Sequence, residues 1–191
     1  MKSENAQAVA SALTGLRLFG IGIPAHPTLE QIQAEYEQVW QTINGLPIES
    51  LIDLPLMTDP EMQAAMQVLS VVGPSAYLTD FRLGCFTQCC MVKVGMQHGI
   101  SGASAIAFGA FGCFLGPVFH RYADGYRFAK LACDLVEKHS FIAYRMITSA
   151  CSRLFKSQAK DTSGIEPMDR GPAIAPVRDK CGNAFFTGNA D

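Results

Sequence analysis

The sequence predicts an all-α fold, an array of antiparallel helical hairpins stacked as a solenoid, followed by a tail of different character. Three observations predict it. Apolar residues recur at helical spacing in one segment after another, most clearly Leu29, Ile32, Tyr36, Val39, Trp40 and Ile43. No segment alternates apolar and polar residues long enough to make a strand. Shifting the chain by 41 residues sets Val94 on Leu135, His98 on His139, Gly99 on Ser140 and Ile100 on Phe141. In both copies a helix ends at a histidine, a tight turn follows and a new helix starts. That period suits paired helices that cannot bury an apolar face alone and so stack on their neighbours.

The elements follow in order. Ala6 to Phe19 reads as a helix ended by Gly20, Gly22 and Pro24. Thr28 is a good N-cap for a helix to Asn44, with Glu30 and Gln31 in its first turn and Gly45 as its stop. Pro47 to Leu54 predicts a short helix. Asp59-Pro60-Glu61 combines an N-cap, a proline at the first helical position and an acid that suits the helix dipole. The helix it opens is expected to close at Gly73-Pro74. Ser75 to His98 then predicts a long, mostly apolar helix, Gly102 to Phe119 another, and Gly125 to His139 a third capped by Asp124. A last helix is expected from Phe141 to about Phe155. Beyond Lys156, Gly171-Pro172 and Pro176 preclude a long helix, and the apolar residues show no period. The division is thus a helical-repeat region over 1–155 and a disordered or aberrant tail over 156–191.

Composition narrows the function classes. With 191 residues, 49% hydrophobic and 17% charged, the chain can bury a real core and is no highly charged disordered protein. A net charge of −2 gives no bulk reason to expect nucleic-acid binding. The total hides an asymmetry: residues 1–80 are strongly acidic and residues 81–160 equally basic. Solvated helix faces of different sign are the favoured reading, and two halves that attract each other the other one. Seven cysteines are an odd number, and Cys85, Cys89, Cys90, Cys113, Cys133 and Cys151 sit inside apolar runs as small hydrophobes. Glu4 stands where a secretion signal needs base, so a reducing cytoplasm is the expected setting.

No catalytic motif survives inspection. Gly15 to Gly20 has phosphate-loop glycine spacing, but Ile21 stands where the lysine must be. Gly20-x-Gly22 follows a helix rather than a strand, and Pro24 has no amide to donate. His120-Arg121-Tyr122 and Asp80-Phe81-Arg82 lack the residues that define kinase loops. His98 and His139 lie at helix C-termini, where an imidazolium suits the dipole, a reading preferred to the alternative of a phospho-accepting histidine. Cys85 and Cys89 share one helical face without the further ligands a metal needs. No catalytic, cofactor-binding or metal-binding residue is therefore assigned, and no cofactor is expected. A cysteine-based metal or redox protein remains an alternative. So does a small membrane protein: residues 99–119 carry no charge, could span a bilayer and contain Gly112-x3-Gly116. Against that, the segment is rich in further Gly and Ser, and its neighbours are amphipathic. Tyr36, Trp40, Tyr122 and Tyr126 are candidate contact residues if exposed; as core residues they need no function.

Two resemblances add to this reading. Leu115-Gly116, Phe119 and the helix to His139 weakly resemble a tetratricopeptide unit, without its tryptophan and terminal proline. More specific are four stretches. They are Gly15-Leu16-Arg17-Leu18-Phe19-Gly20, the run from His26-Pro27-Thr28 to Val39-Trp40, the block Ile48 to Met62 and Gly125-Tyr126-Arg127-Phe128-Ala129-Lys130-Leu131-Ala132. They resemble the region after the AAA/STAND-type ATPase module of large bacterial multi-sensor signalling proteins. Those proteins join a serine/threonine kinase, the ATPase, a tetratricopeptide-like array, a GAF sensor and a histidine kinase. The resemblance implies a non-catalytic helical scaffold that contacts other domains of the parent kinase or signalling partners. It spans about residues 10–150, and its abrupt end implies a truncated or frameshifted fragment of such a parent.

Overall fold

Helix starts follow the capping chemistry written in the sequence. The computed structural model describes residues 2–146, 148 and 149, and among them the helices are α1 (Lys2–Leu16), α2 (Leu29–Ile43), α3 (Pro60–Thr79), α4 (Phe81–His98), α5 (Gly102–Phe119) and α6 (Tyr122–Lys138). Short 3-10 turns occupy Arg17–Phe19, Ile48–Asp53 and Ile142–Tyr144. The Thr28 hydroxyl accepts from the Gln31 amide while the Gln31 side chain accepts from the Thr28 amide, a reciprocal capping box. Asp59 accepts from the Glu61 and Met62 amides below Pro60. Ser101 and Ser104 cap α5 in the same reciprocal way. Asn44 (φ 50°) and Gly45 (φ 75°) take the left-handed conformation that closes α2.

Several boundaries differ from expectation: α1 already starts at Lys2 rather than Ala6 and gives way to a 3-10 turn at Arg17. The helix begun at Asp59 does not stop at Gly73-Pro74 but runs through both to Thr79. An internal proline loses a hydrogen bond and strains the preceding turn, at a cost of about 3 kcal/mol. Here Val72, Gly73 and Ala76 are buried, and Gly73 lies so close to α4 that a Cβ on it would stand 3.1 Å from Gln88 Nε2. Tertiary packing outweighs the local signal. The break falls instead at Asp80, extended at φ −147°, whose carboxylate accepts from the Arg82 amide and starts α4. At the other end, α6 begins at Tyr122, so Asp124 sits in its first turn rather than at its cap. Finally, Pro47–Leu54 forms a 3-10 turn, not an α-helix. The expected helix from Phe141 is helical at 145–146 and 148–149 after the Ile142–Tyr144 turn; its remainder and the expected disordered tail lie outside the described residues.

Close approaches at small residues assemble the helices. α3 and α4 form an antiparallel hairpin, with Gly84 against Tyr77 and Gly73 against Gln88. Gly95 of α4 meets Ser104 of α5, and Gly112 of α5 lies against the Gly125 carbonyl of α6. α2 packs on α4, α1 on α3, and the Ile48–Asp53 turn on α6. α4 is enclosed on every side: each residue from Leu83 to Val92 is buried. Around α5 and α6 the core is aromatic, with Phe111 and Phe128 edge-to-face at 5.0 Å and Phe108 stacked on Phe128 at 6.0 Å.

The packing is not confined to sequence neighbours. α2 passes over α3 to reach α4, and its aromatic residues meet Phe119 of α5 and Phe128 of α6. A solenoid in which each unit touches only the next has no such contacts. The 41-residue correspondence survives locally: Gly99 (φ 103°) and Ser140 (φ 56°) both turn the chain just past a helix. At the first of these turns the chain also ties back on itself. The Ile100 amide donates to the Pro55 carbonyl (2.7 Å) and the Met57 amide to the Ile100 carbonyl (2.8 Å), a parallel bridge across the ends of the α3–α4 hairpin.

Charge follows the same long-range pattern. Acids of the first 80 residues meet bases of the second half: Glu35 with Lys93, Glu49 with Arg127 (2.7 Å) and Asp53 with Lys138 (2.9 Å). The two halves attract each other at these points, where separate solvated faces were the favoured expectation. Glu35 and Lys93 are largely screened from solvent between α2 and α4, and Lys93 also donates to Gln38.

Candidate functional site

The most elaborate side-chain constellation lies where α2 crosses the α5–α6 corner. Helical spacing puts Tyr36 and Trp40 one turn apart on α2, and the corner at His120 (φ 56°) carries Arg121 over them. Tyr36 is buried and stacks on Phe119, centroids 3.7 Å apart and rings 7° from parallel. Trp40 is half-buried, edge-on to Phe128 at 6.1 Å, and capped by the Arg121 guanidinium 3.7 Å from its ring centroid, a cation–π contact.

Arg121 continues into a chain of charges. Its Nε donates to Asp124 (2.7 Å), and one terminal nitrogen points to the Tyr36 hydroxyl at 3.4 Å. Asp124 also accepts from Arg127 (3.2 Å), and Arg127 forks onto both oxygens of Glu49 at 2.7 Å each. The Arg127 fork, helped by the local backbone amide, holds the Glu49 carboxyl down at about 2. Hydrogen bonding to Glu49 raises the Arg127 guanidinium in turn. Burial pushes the Tyr36 hydroxyl up, against the pull of Arg121. The groups serve one another, so the cluster is a clasp that fastens α2, the α5–α6 corner and the Ile48–Asp53 turn.

The four expected contact residues thus separate. Tyr36 and Trp40 belong to the clasp, Tyr122 lies across Gly116, and Tyr126 stands 43% exposed on the outer side of α6. Sequence reasoning missed Arg121, Asp124, Arg127 and Glu49. The spacing Arg121-x2-Asp124-x2-Arg127 was a readable signal for one helix face, whereas the partner Glu49, 78 residues away from Arg127, was not.

The alternative sites look as follows. Cys85, Cys89 and Cys90 are buried on α4, and burial drives all three thiols up, Cys90 to about 12 with the Glu35 charge adding to the shift. Among the described residues no three His, Cys, Asp or Glu side chains converge to hold a metal. Gly15 lies in α1, and Gly20 closes the following 3-10 turn at φ 75°. His98 ends α4, and His139 caps α6 and stacks on Phe141. Among the described residues Gly102–Phe119 alone is long and apolar enough to cross a membrane, and 78% of it is buried by the other helices of this fold.

One comparison with known proteins is informative. Over part of its length the chain is similar to a signalling kinase. That protein is the hybrid signal transduction histidine kinase G of Dictyostelium discoideum, 23% identical over 143 residues. The match takes in 65% of this chain and 4% of the kinase's own length. No family model matches the chain, and no solved structure does.

Proposed function

We propose that the chain is a non-catalytic helical segment of a multidomain signal-transduction sensor kinase, a scaffold for contacts between modules or with partner proteins in the cytoplasm. The observation that carries the reading is the distant similarity to a hybrid histidine kinase, which covers most of this chain and a small part of that large protein. Its helical make-up, with several apolar helices enclosed by neighbours, agrees with a segment of a longer helical region. An ATPase module preceding such a region belongs to this proposal, resting on the residue resemblances from Gly15 to Ala132.

Incubating the purified chain with γ-labelled ATP tests the non-catalytic half. The expected result is neither ADP release nor label stable to base; label on His98 or His139 would overturn the reading. Genomic sequence around the reading frame tests the other half. ATPase coding sequence upstream and GAF or histidine kinase sequence downstream are expected, and unrelated frames on both sides would defeat it.

A further inference from the structure

α5 carries no Asp, Glu, Lys or Arg, and its residues are buried except along one stripe. Ile106, Ala110, Cys113 and Pro117 recur there at helical spacing and stand half-buried. Gly102 heads the same stripe, one turn before Ile106, and shows how it is closed. The Tyr144 ring lies across Gly102 so tightly that a Cβ there would collide with it. The Tyr144 hydroxyl also accepts from Gln67 Nε2 of α3 (3.1 Å), so the last described turn enters between α3 and α5. One turn on, Thr148 is buried, and its carbonyl accepts from the Cys133 thiol of α6 (3.6 Å). Gly112 meets Gly125 and Gly116 meets Tyr122, so α6 runs antiparallel to α5. A chain that passes from the end of α6 back to Cys133 therefore advances along α5 from Gly102 towards Cys113.

We propose that the half-buried stripe of α5 is the docking surface for the chain's own residues 150–155, which continue this last helix and seal it with Cys151 beside Ala110 and Phe155 beside Cys113. Three observations favour that occupant. The segment is already anchored at its head, by Tyr144 on α5 and α3 and by Thr148 on α6. Its next residues thus meet the stripe at an effective concentration that no separate molecule matches. Spacing and length agree as well. Positions 144, 148, 151 and 155 share one helix face, and Arg145, Arg153 and Lys156 fall opposite. Phe155 lies eleven residues past Tyr144 and Cys113 eleven past Gly102, so two parallel helices of equal rise bring them level. Finally, an aromatic setting waits at that level. Tyr77 of α3 is half-exposed and edge-on to Phe81 at 5.2 Å, and its hydroxyl is pushed up by burial and then by the nearby Cys85 and Cys113. The docking does not depend on the sensor-kinase reading and goes beyond it. It makes residues 145–155 part of the folded unit and delivers the chain beyond Lys156 to the α3–α4 corner.

Native-state hydrogen exchange on the full-length chain, read by mass spectrometry, tests the proposal. Amides of residues 151–155 should exchange at least about tenfold more slowly than an unprotected chain. Phe155→Asp should remove that protection while α5 and α6 keep theirs, and Arg153→Asp, on the opposite face, should leave it in place. Unprotected exchange in the parent overturns the proposal, as does protection that Phe155→Asp leaves unchanged. Protection lost on tenfold dilution also overturns it, because a second copy would then be the occupant. If Phe155→Asp strips α5 and α6 of protection as well, benzoylphenylalanine in place of Phe155 decides. Photocrosslinks within one chain to Tyr77 or to Cys113–Pro117 are the expected result, and crosslinks to any other surface or between two chains overturn it.

Discussion

Glu49 shows how much one carboxylate can say about the clasp. Its folded-state value of about 2 lies below the ordinary glutamate value of about 4.3, so its contribution is full above that ordinary value and is lost as the pH falls towards 2. Both partners are substantially exposed, Glu49 at 56% and Arg127 at 40%, so solvent screening leaves only about 0.5 kcal/mol. Glu49→Gln should therefore lower the urea midpoint slightly at pH 7, and the difference from the parent should close between about pH 4 and pH 2. An equal deficit at both ends of that range would show that the loss is steric rather than electrostatic. Residue-scale features were legible where the partner is local. Thr28 and Asp59 act as their types and positions predict, since a cap is satisfied within three or four residues, and the expected stop at Gly45 is shared with a left-handed Asn44. The clasp was not legible, because Tyr36 and Arg121 acquire their roles from residues 85 positions away.

Element boundaries were read well where a cap and an apolar period coincide, as in α2. They were misread where a breaker lies inside a buried run. Gly73-Pro74 has every local mark of a stop, and the burial of Val72, Gly73 and Ala76 against α4 explains why it is not one. Glycines at crossings provide the sharper test of how the elements fit. A Cβ at Gly112 would stand 2.6 Å from the Gly125 carbonyl oxygen, a backbone atom that cannot rotate away. Gly112→Ala should therefore wedge α5 from α6 and cost about 1–3 kcal/mol of unfolding free energy. Gly15 in α1 has nothing within 4 Å of the same construction. Gly15→Ala should stabilise by about 0.4–1 kcal/mol through the unfolded chain. Denaturant midpoints of the pair give opposite signs if the crossing is as tight as described, and a shared sign would refute it.

At the scale of the molecule, the all-α class and most of the helix inventory were legible, because period and composition are local properties. Which helices touch was not. The 41-residue correspondence suggested stacking of successive pairs, and it marks two similar turns, yet α2 packs across to α4 and its aromatics to α5 and α6. The acidic and basic halves did carry that information in coarse form. Lys93, Arg127 and Lys138 each find an acid from the first 80 residues, so the charge asymmetry is partly a record of which segments meet. The apolar stretch from Val68 to Phe119 likewise divides. α4 and α5 are enclosed as such sequences require, whereas the outer side of α3 is left uncovered by the described residues.

The bridge joining Pro55–Met57 to Gly99–Ile100 bears on the order of folding. A link between residues more than forty positions apart ordinarily carries a large loop-closure entropy. Here the intervening chain is the α3–α4 hairpin, whose formation already brings its start and its end together, so little closure entropy remains when the bridge forms. The two amides at Met57 and Ile100 should then open only when the hairpin opens, although neither lies in a helix. Native-state hydrogen exchange would show them protected to the level of the α4 core, and exchange at loop rates would mean that the hairpin frays from this end independently.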